Sequence, residues 1–363
     1  MRLACARCGA TYRWEATRFR CDCGGPLKIA DAPAFNPARV GVDDFTLWRY
    51  RHTLPLPRGA RPVTLGEGMT PLVEAEWDGL SVHFKCESLN PTGSFKDRGT
   101  AILITALAAT EVEAVVEDSS GNAGSSLAAY AARAGLRATI YVPAHASPAK
   151  KAQIAAYGAR LVAVPGPRAA AAEAVLKAAD RGAVYASHVY HPLIHHGMKT
   201  IAFELWEQLG RRAPDAVVLP VGHGSLLLGL AMGFDELRAA GCTRKVPRLY
   251  GIQAAACAPL VAAWERGAEE PEPVAEGDTV AEGVRIAAPV RGREILTTVR
   301  ASGGGMLAVS EPEIRAAWKR LAHRGFYVEP TSAVAVAALD HLQERLTGTV
   351  VAILTGSGLK HSG

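Results

Sequence analysis

No stretch of this 363-residue sequence is apolar for long enough to span a bilayer, and the opening MRLACARCGATYRW has no apolar core behind a basic start. Neither a membrane partner nor an export leader is expected, so the protein is placed in the cytoplasm. Charge of one sign is also missing. The 40 Lys+Arg against 35 Asp+Glu leave only +5, spread along the chain, so nucleic-acid binding has no compositional footprint. That mild positive balance would still favour anionic substrates. There is no internal repeat and no long low-complexity tract; GAEEPEPVAEGDTV (267–280) reads as an exposed loop. What remains is ordinary globular composition, 49% hydrophobic and 21% charged, at a length that suggests about two domains.

Seven cysteines are present, four of them near the start (Cys5, Cys8, Cys21, Cys23) and three dispersed (Cys86, Cys242, Cys257). An odd count clustered in this way, in a reducing compartment, argues for a metal site and buried thiols rather than disulfides. CARCGATYRWEATRFRCDCGGPL resembles a zinc ribbon: C-x2-C and C-x-C pairs, each followed by Gly, make knuckle turns around a tetrahedral ion. The second pair is one residue tighter than usual. The bland alternative is a relic ribbon that folds without metal. With four sulfurs bound, zinc would have no open position, so its role would be structural.

From about residue 60 onward, short apolar runs alternate with helical spacing. VVEDSS, ATIYVP, RLVAVPG, AVVLPVG, RLYGIQ and VVAILTG read as buried parallel strands. AGSSLAAYAARAG, SPAKKAQIAAYG, AAAAEAVLKAADRG, MKTIAFELWEQLG and EIRAAWKRLAHRG read as helices with Gly stops. The class is therefore α/β, and the number of units predicts two doubly wound parallel-sheet domains with a cleft between them.

In open α/β sheets, ligands collect where strands end and helices begin. Four such segments stand out. In ESLNPTGSFKDRGT (87–100), Pro91 and Gly93 make a turn, Ser94 is a candidate N-cap, and Phe95, Lys96 and Asp97 open a helix. A cation at a helix N-terminus faces the positive end of the macrodipole, which lowers the pKa of Lys96. A neutral amine is the form that attacks an aldehyde. The alternative is a solvated lysine offset by Asp97. In DSSGNAGSS (118–126), Ser119, Ser120, Gly121 and Asn122 precede a helix and would suit a carboxylate or phenolate, or simply cap it. In VVLPVGHGSLLLG (217–229), the loop Gly222-His223-Gly224-Ser225 could cradle a phosphate. It is neither a P-loop nor a G-x-G-x-x-G, and His223 can contribute its backbone alone. In VVAILTGSGLK (350–360), Thr355 offers a hydroxyl at a strand end, able to hydrogen-bond a pyridine nitrogen or to serve its own turn.

Taken together in this order, NPTGSFKDRG, SSGNAGSS, PVGHGS, FYVEPTSA (326–333) and LTGSGLK resemble the fold-type II pyridoxal-phosphate (PLP) enzymes, specifically the threonine synthase branch. The resemblance covers the whole chain. It implies PLP as cofactor, Lys96 as the Schiff-base lysine, Phe95 beside the cofactor ring and Asn122 on the ring hydroxyl. It further implies that Gly222, His223, Gly224, Ser225 and Leu226 hold the phosphate and that Thr355 faces the pyridine nitrogen. Ser119, Ser120 and Gly121 would hold a substrate carboxylate. Homodimers are usual among such relatives. The organisation expected is a ribbon-like module (1–30), a linker (31–60), a larger PLP-binding domain (61–100 and 200–363) and a small α/β domain (101–199).

That branch converts O-phosphohomoserine and water to threonine and phosphate, in amino-acid biosynthesis, with an asparagine and an arginine clamping the substrate phosphate. Here SHVYHPLIHHGMKT (187–200) places His188 at the asparagine and Ile194 at the arginine. An aliphatic side chain cannot replace a bidentate clamp. His188, with His191, His195 and His196, could substitute as partly protonated donors or form a solvated turn. The expectation is a PLP-dependent lyase acting on a small amino acid, with threonine formation first. A serine/threonine ammonia-lyase, a cysteate synthase-like enzyme and a non-catalytic sensor are the alternatives.

Overall fold

The computed structural model describes residues 1–144, 148–166 and 168–360. Residues 145–147 and 167 of the expected small domain, and 361–363 of the larger, lie outside the described residues. In chain order the strands are β1 (Arg2–Cys5), β2 (Thr11–Arg13), β3 (Leu27–Ile29), β4 (Leu72–Trp77), β5 (Leu80–Lys85), β6 (Ala114–Glu117), β7 (Arg137–Pro143), β8 (Arg160–Val164), β9 (Ala216–Pro220), β10 (Arg248–Ala254), β11 (Gly305–Val309) and β12 (Val350–Ile353). The helices that position the site are α1 (Lys96–Ala108), α2 (Asn122–Ala134), α3 (Pro148–Ala156), α4 (Arg168–Asp180), α5 (Leu193–Met198), α6 (Thr200–Gln208) and α7 (Ser225–Ala239). All six expected strands and all five expected helices form, and the class is α/β with parallel sheets.

The chain gathers into two compact units. The first comprises Met1–Gly68 and Asn90–Met198. It opens with an antiparallel sheet, β2-β1-β3, over a small core of Leu3, Cys5, Cys21 and Leu27. Its main sheet is parallel, β6-β7-β8, with buried Val115, Ile140 and Val142 meeting apolar residues of α1 and α2. Two expectations change here. Residues 31–60 are not a loose linker: Phe35, Leu47, Trp48, Tyr50 and Leu54 are buried, and the indole N–H of Trp48 donates to Glu67 Oε1 at 2.7 Å. Residues 61–68 and 90–100, expected with the larger domain, cluster with this unit, the second stretch because α1 packs on α2 and α5. The α1–α5 crossing needs Gly197, where an added Cβ would lie 2.1 Å from the Arg98 carbonyl oxygen.

The second unit comprises Met69–Leu89 and Lys199–Lys360. Its six-stranded sheet runs β11-β10-β9-β12-β5-β4, parallel throughout except for the edge strand β4, which is antiparallel to β5. Three of these strands, β4, β5 and β11, are additions to the sequence reading. The β4–β5 hairpin turns on Asp78 (φ 48°) and Gly79 (φ 84°), an Asp-Gly pair of the kind that suits a two-residue hairpin.

Candidate active site

In the first unit the approach to α1 is a tight turn, with Gly93 at φ 82° and its N–H donating to the Asn90 carbonyl at 2.7 Å. The expected Ser94 cap does not form: Phe95 occupies the N-cap position without a side-chain cap, and the buried Ser94 hydroxyl has no hydrogen-bond partner among the described residues. The turn is fastened by Asp97 instead, which is buried and accepts from Thr92 N at 2.7 Å and Thr92 Oγ1 at 2.5 Å. Lys96 is the first residue of α1, half-buried, with Nζ 4.8 Å from the Phe95 ring centroid.

The apolar strand β6 ends at Glu117, and Asp118, Ser119, Ser120 and Gly121 lead into α2 at Asn122. Ser119 is buried; Ser120, Gly121 and Asn122 are half-buried. The capping alternative fails, because Gly121 stands at the N-cap with no side-chain bond and Ser119 Oγ accepts from Gly121 N at 3.3 Å instead. The helix start comes close to this loop only because residue 124 is glycine; a Cβ there would lie 1.8 Å from the Ser119 carbonyl oxygen.

The clamp segment is buried, against the solvated-turn reading of its histidines. His188 is buried, and its Nδ1 meets Glu117 Oε1 in a very short contact. His191 is 1% exposed, with Nδ1 accepting from Leu193 N at 3.3 Å, and His195 and His196 are buried, so this is no solvated turn. Ile194 is a core residue at 2% exposure, its Cγ2 packed where a Cβ on Gly99 would come within 2.9 Å.

Glu117 and Asp118 were not singled out by the sequence, although two acids ending an apolar buried run were a visible signal. Glu117, Asp118 and His188 bring potential ligand atoms within 4.8 Å of one another, and all three are buried. Burial pushes the Glu117 carboxyl up to about 8, against the opposing charges of Lys96 and Arg168. Burial likewise raises Asp118, helped by Glu117, while the Tyr185 hydroxyl donates to its Oδ1 at 2.6 Å. The His188 imidazole is held well below its ordinary value by burial, with Lys96 and Arg168 adding to the effect. Both shifts have the same main cause, burial, which favours the neutral form of each group.

In the second unit, β9 runs into Gly222, His223 and Gly224, and α7 starts at Ser225. Gly222 and His223 are half-buried; Gly224, Ser225 and Leu226 are buried. Gly224 has φ 81° and a Cβ there would strike Ile295 Cδ1 at 2.3 Å, so the loop requires glycine. No side chain caps α7, leaving the positive end of a 15-residue helix beside the loop. β12 is hydrogen-bonded beside β9, with Ala352 opposite Val218, so Thr355 and the glycine loop leave neighbouring strand ends. Thr355 is buried, its Oγ1 3.0 Å from Glu329 Oε1 and 3.1 Å from Ser332 Oγ.

At the ribbon, Cys5, Cys8, Cys21 and Cys23 bring their sulfurs within 4.8 Å of one another. Cys5–Cys23 and Cys8–Cys21 are each 3.6 Å apart, and the N–H groups of Arg7 and Cys8 point at Cys5 Sγ at 3.3 and 3.4 Å. A tetrahedron with Zn–S bonds of about 2.3 Å has edges of about 3.8 Å. The two pairs at 3.6 Å come close to that edge length.

Residues 63–356 match the family model described as pyridoxal-phosphate dependent enzyme. The threonine synthase of Methanocaldococcus jannaschii is 35% identical, with 98% of this chain and 92% of that protein covered. The threonine synthase of Mycobacterium bovis is 38% identical, covering 86% and 87%. Among solved structures, the T.th. threonine deaminase superposes with a TM-score of 0.70 at 31% identity, covering 81% of this chain and 94% of that one. The chain belongs to the fold-type II pyridoxal-phosphate dependent enzymes, in the threonine synthase branch.

Proposed function

We propose that this PLP-dependent lyase removes a side-chain substituent from a small amino acid, and that its first candidate reaction is O-phospho-L-homoserine and water to L-threonine and phosphate. The observation that carries the reading is Lys96 at the open start of α1, in the same unit as the uncapped start of α2. Lys96 would hold the cofactor covalently, with Phe95 and Asn122 against its ring. The glycine loop with Ser225 and Leu226 suits its phosphate, because the uncapped α7 directs N–H groups and a positive dipole end there. Thr355 would meet the ring nitrogen. PLP, when bound, supplies an electron sink for charge developing at the substrate Cα. The protein supplies the rest: Ser119, Ser120 and Gly121 orient the substrate carboxylate, and Lys96 Nζ takes and returns the proton at Cα. The relatives named threonine synthase support the finer assignment.

A second reading, elimination from L-serine or L-threonine, or a cysteate synthase-like replacement, is favoured by one observation. Ile194 lies in the core, and His188 is engaged with a carboxyl group where a phosphate would need cationic donors. One assay separates the two. Protein with bound PLP is incubated with O-phosphohomoserine, O-phosphoserine, L-serine and L-threonine, and phosphate, 2-oxo acid and new amino acid are measured. Phosphate and threonine from phosphohomoserine establish the first reading, and 2-oxo acid from serine or threonine without it establishes the second. Lys96→Ala abolishes both turnover and the visible absorbance band of bound PLP; a Lys96→Ala protein that keeps its turnover sinks the whole proposal. The ribbon is proposed to hold one structural zinc, so metal analysis of purified protein should read one zinc per chain, lost on Cys8→Ser. We further propose that the enzyme is a cytoplasmic homodimer, which light scattering tests for the assembly.

A further inference from the structure

We propose that Gln153, on α3, is a positioning residue for Lys96, and that its neighbour Ile154 sets the loop proposed to take the substrate carboxylate. The inference rests on the PLP reading of Lys96 and adds two residues to it. α1 has no side-chain cap, so the place where Lys96 begins the helix is set by the turn before it. Thr92 pins that turn. It is 2% exposed, and its N–H and hydroxyl both donate to Asp97, a residue of α1 itself. Its carbonyl oxygen accepts from Gln153 Nε2 at 3.1 Å, so the third polar group of Thr92 is held from another helix, 61 residues on in sequence. The other proton of that amide goes to the Tyr157 hydroxyl at 3.4 Å, which fixes the orientation of the Gln153 side chain. Ile154, the next residue, is 0% exposed. A Cβ on Gly124 would lie 3.2 Å from Ile154 Cδ1 and 1.8 Å from the Ser119 carbonyl oxygen, so Ile154 packs where the start of α2 meets the Ser119 loop.

Successive residues of a helix point about 100° apart, so a single turn of α3 reaches both neighbours, the start of α1 through Gln153 and the start of α2 through Ile154. The spacing of those two starts matters for the chemistry. A lysine that removes a Cα proton must bring Nζ to that proton while the substrate carboxylate is held at the other loop, and a misplacement of about 1 Å costs about 100-fold in rate. The two contacts act on different halves of this arrangement. Gln153 bears on the base and Ile154 on the carboxylate loop, so their loss should show in different kinetic constants. The bland role for Gln153 is to satisfy a buried carbonyl. That role would cost stability and leave the turnover of folded enzyme unchanged.

The test uses the full chain with bound PLP and β-chloro-L-alanine, whose chloride leaves unaided once the Cα proton is gone. Gln153→Met, similar in length but without a donor, should keep the visible PLP band and lower kcat about 10-fold or more while KM changes by less than about twofold. Gln153→Glu puts an acceptor in place of the donor and should do the same. Gln153→Lys restores an N–H donor and should return kcat to within about threefold of the wild type. Ile154→Val should do the converse, raising KM about threefold or more with kcat nearly unchanged. Because the slowed step is proton removal, the isotope effect on kcat with α-deuterated β-chloro-L-alanine should be at least as large in Gln153→Met as in the wild type. Gln153 variants that unfold at lower urea yet keep the wild-type kcat would show a satisfied carbonyl and nothing more, which overturns the inference. So do equal changes of kcat and KM at both positions, or a smaller isotope effect in Gln153→Met. Should Gln153→Met fail to fold, Gln153→Glu, of the same shape as the native side chain, carries the comparison. A wild type with neither a PLP band nor turnover of β-chloro-L-alanine would overturn the reading of Lys96 instead.

Discussion

Each unit buries a carboxylate against a basic partner, and the two pairs are built on opposite principles. In the second unit Lys85 and Glu204 are both 0% exposed and fully furnished. Lys85 Nζ donates to Glu204 Oε2 at 2.7 Å, to the Thr70 carbonyl at 2.7 Å and to Gln208 Oε1 at 3.0 Å, while Glu204 Oε1 accepts from Met69 N at 2.8 Å. Every donor proton and both carboxylate oxygens are used, which is how a buried ion pair offsets its desolvation cost. It ties β5 to α6. In the first unit one oxygen of Glu117 has no partner among the described residues, and burial favours the neutral forms of both its carboxyl group and the His188 imidazole. One buried carboxylate is thus satisfied completely and the other only by half among the described residues.

The comparison breaks most sharply on removing a carboxylate from each pair. Glu204→Ala strands a buried ammonium and should cost about 3–5 kcal/mol, read as a lower midpoint in urea unfolding of the protein at neutral pH. A loss below about 1 kcal/mol would show that water or rearrangement satisfies Lys85, and that the pair is no more structural than an exposed one. Glu117→Gln in the same measurement should not destabilise, since an amide replaces an already neutral carboxyl of the same shape.

How far this contrast was legible in the sequence depends on what carries each part. The strands β9, β10 and β12 announced themselves because both faces of each are buried, which forces a continuous apolar run, and β6, β7 and β8 are nearly as apolar in sequence although they are partly exposed. β11, a five-residue strand reading GMLAV after two glycines, carries too little signal to separate it from a loop. β4 is an exposed edge with alternating polarity, and the Asp78-Gly79 turn was the available clue. Lys96 and the Ser119 and Gly222 loops were found because turn residues at strand ends have a local signature. Glu117 was not, because what distinguishes it is a partner 71 residues away, and His188 in sequence looked like a donor for phosphate rather than the mate of an acid. Ile194 was seen as a missing clamp; only packing shows that it fills the space over Gly99.

The smaller effect concerns pH, and its sign follows from the direction of the Glu117 shift. In the unfolded chain Glu117 ionises near its ordinary value of 4.5, and in the folded protein near 8. Between those two values the folded state binds one proton more than the unfolded state, so raising pH withdraws stability, at up to about 1.4 kcal/mol per pH unit. Below 4.5 both states are protonated and above 8 both are ionised, so the contribution is flat outside the window. Glu117→Gln removes this one linkage and leaves the others. The difference in unfolding free energy between Glu117→Gln and wild type should therefore climb from about pH 4.5 to about pH 8 and then level, with the variant gaining on the wild type throughout. A level difference across that window would mean that Glu117 is ionised in the folded protein. It would then be a carboxylate paired with a charged His188, the same kind of object as Glu204.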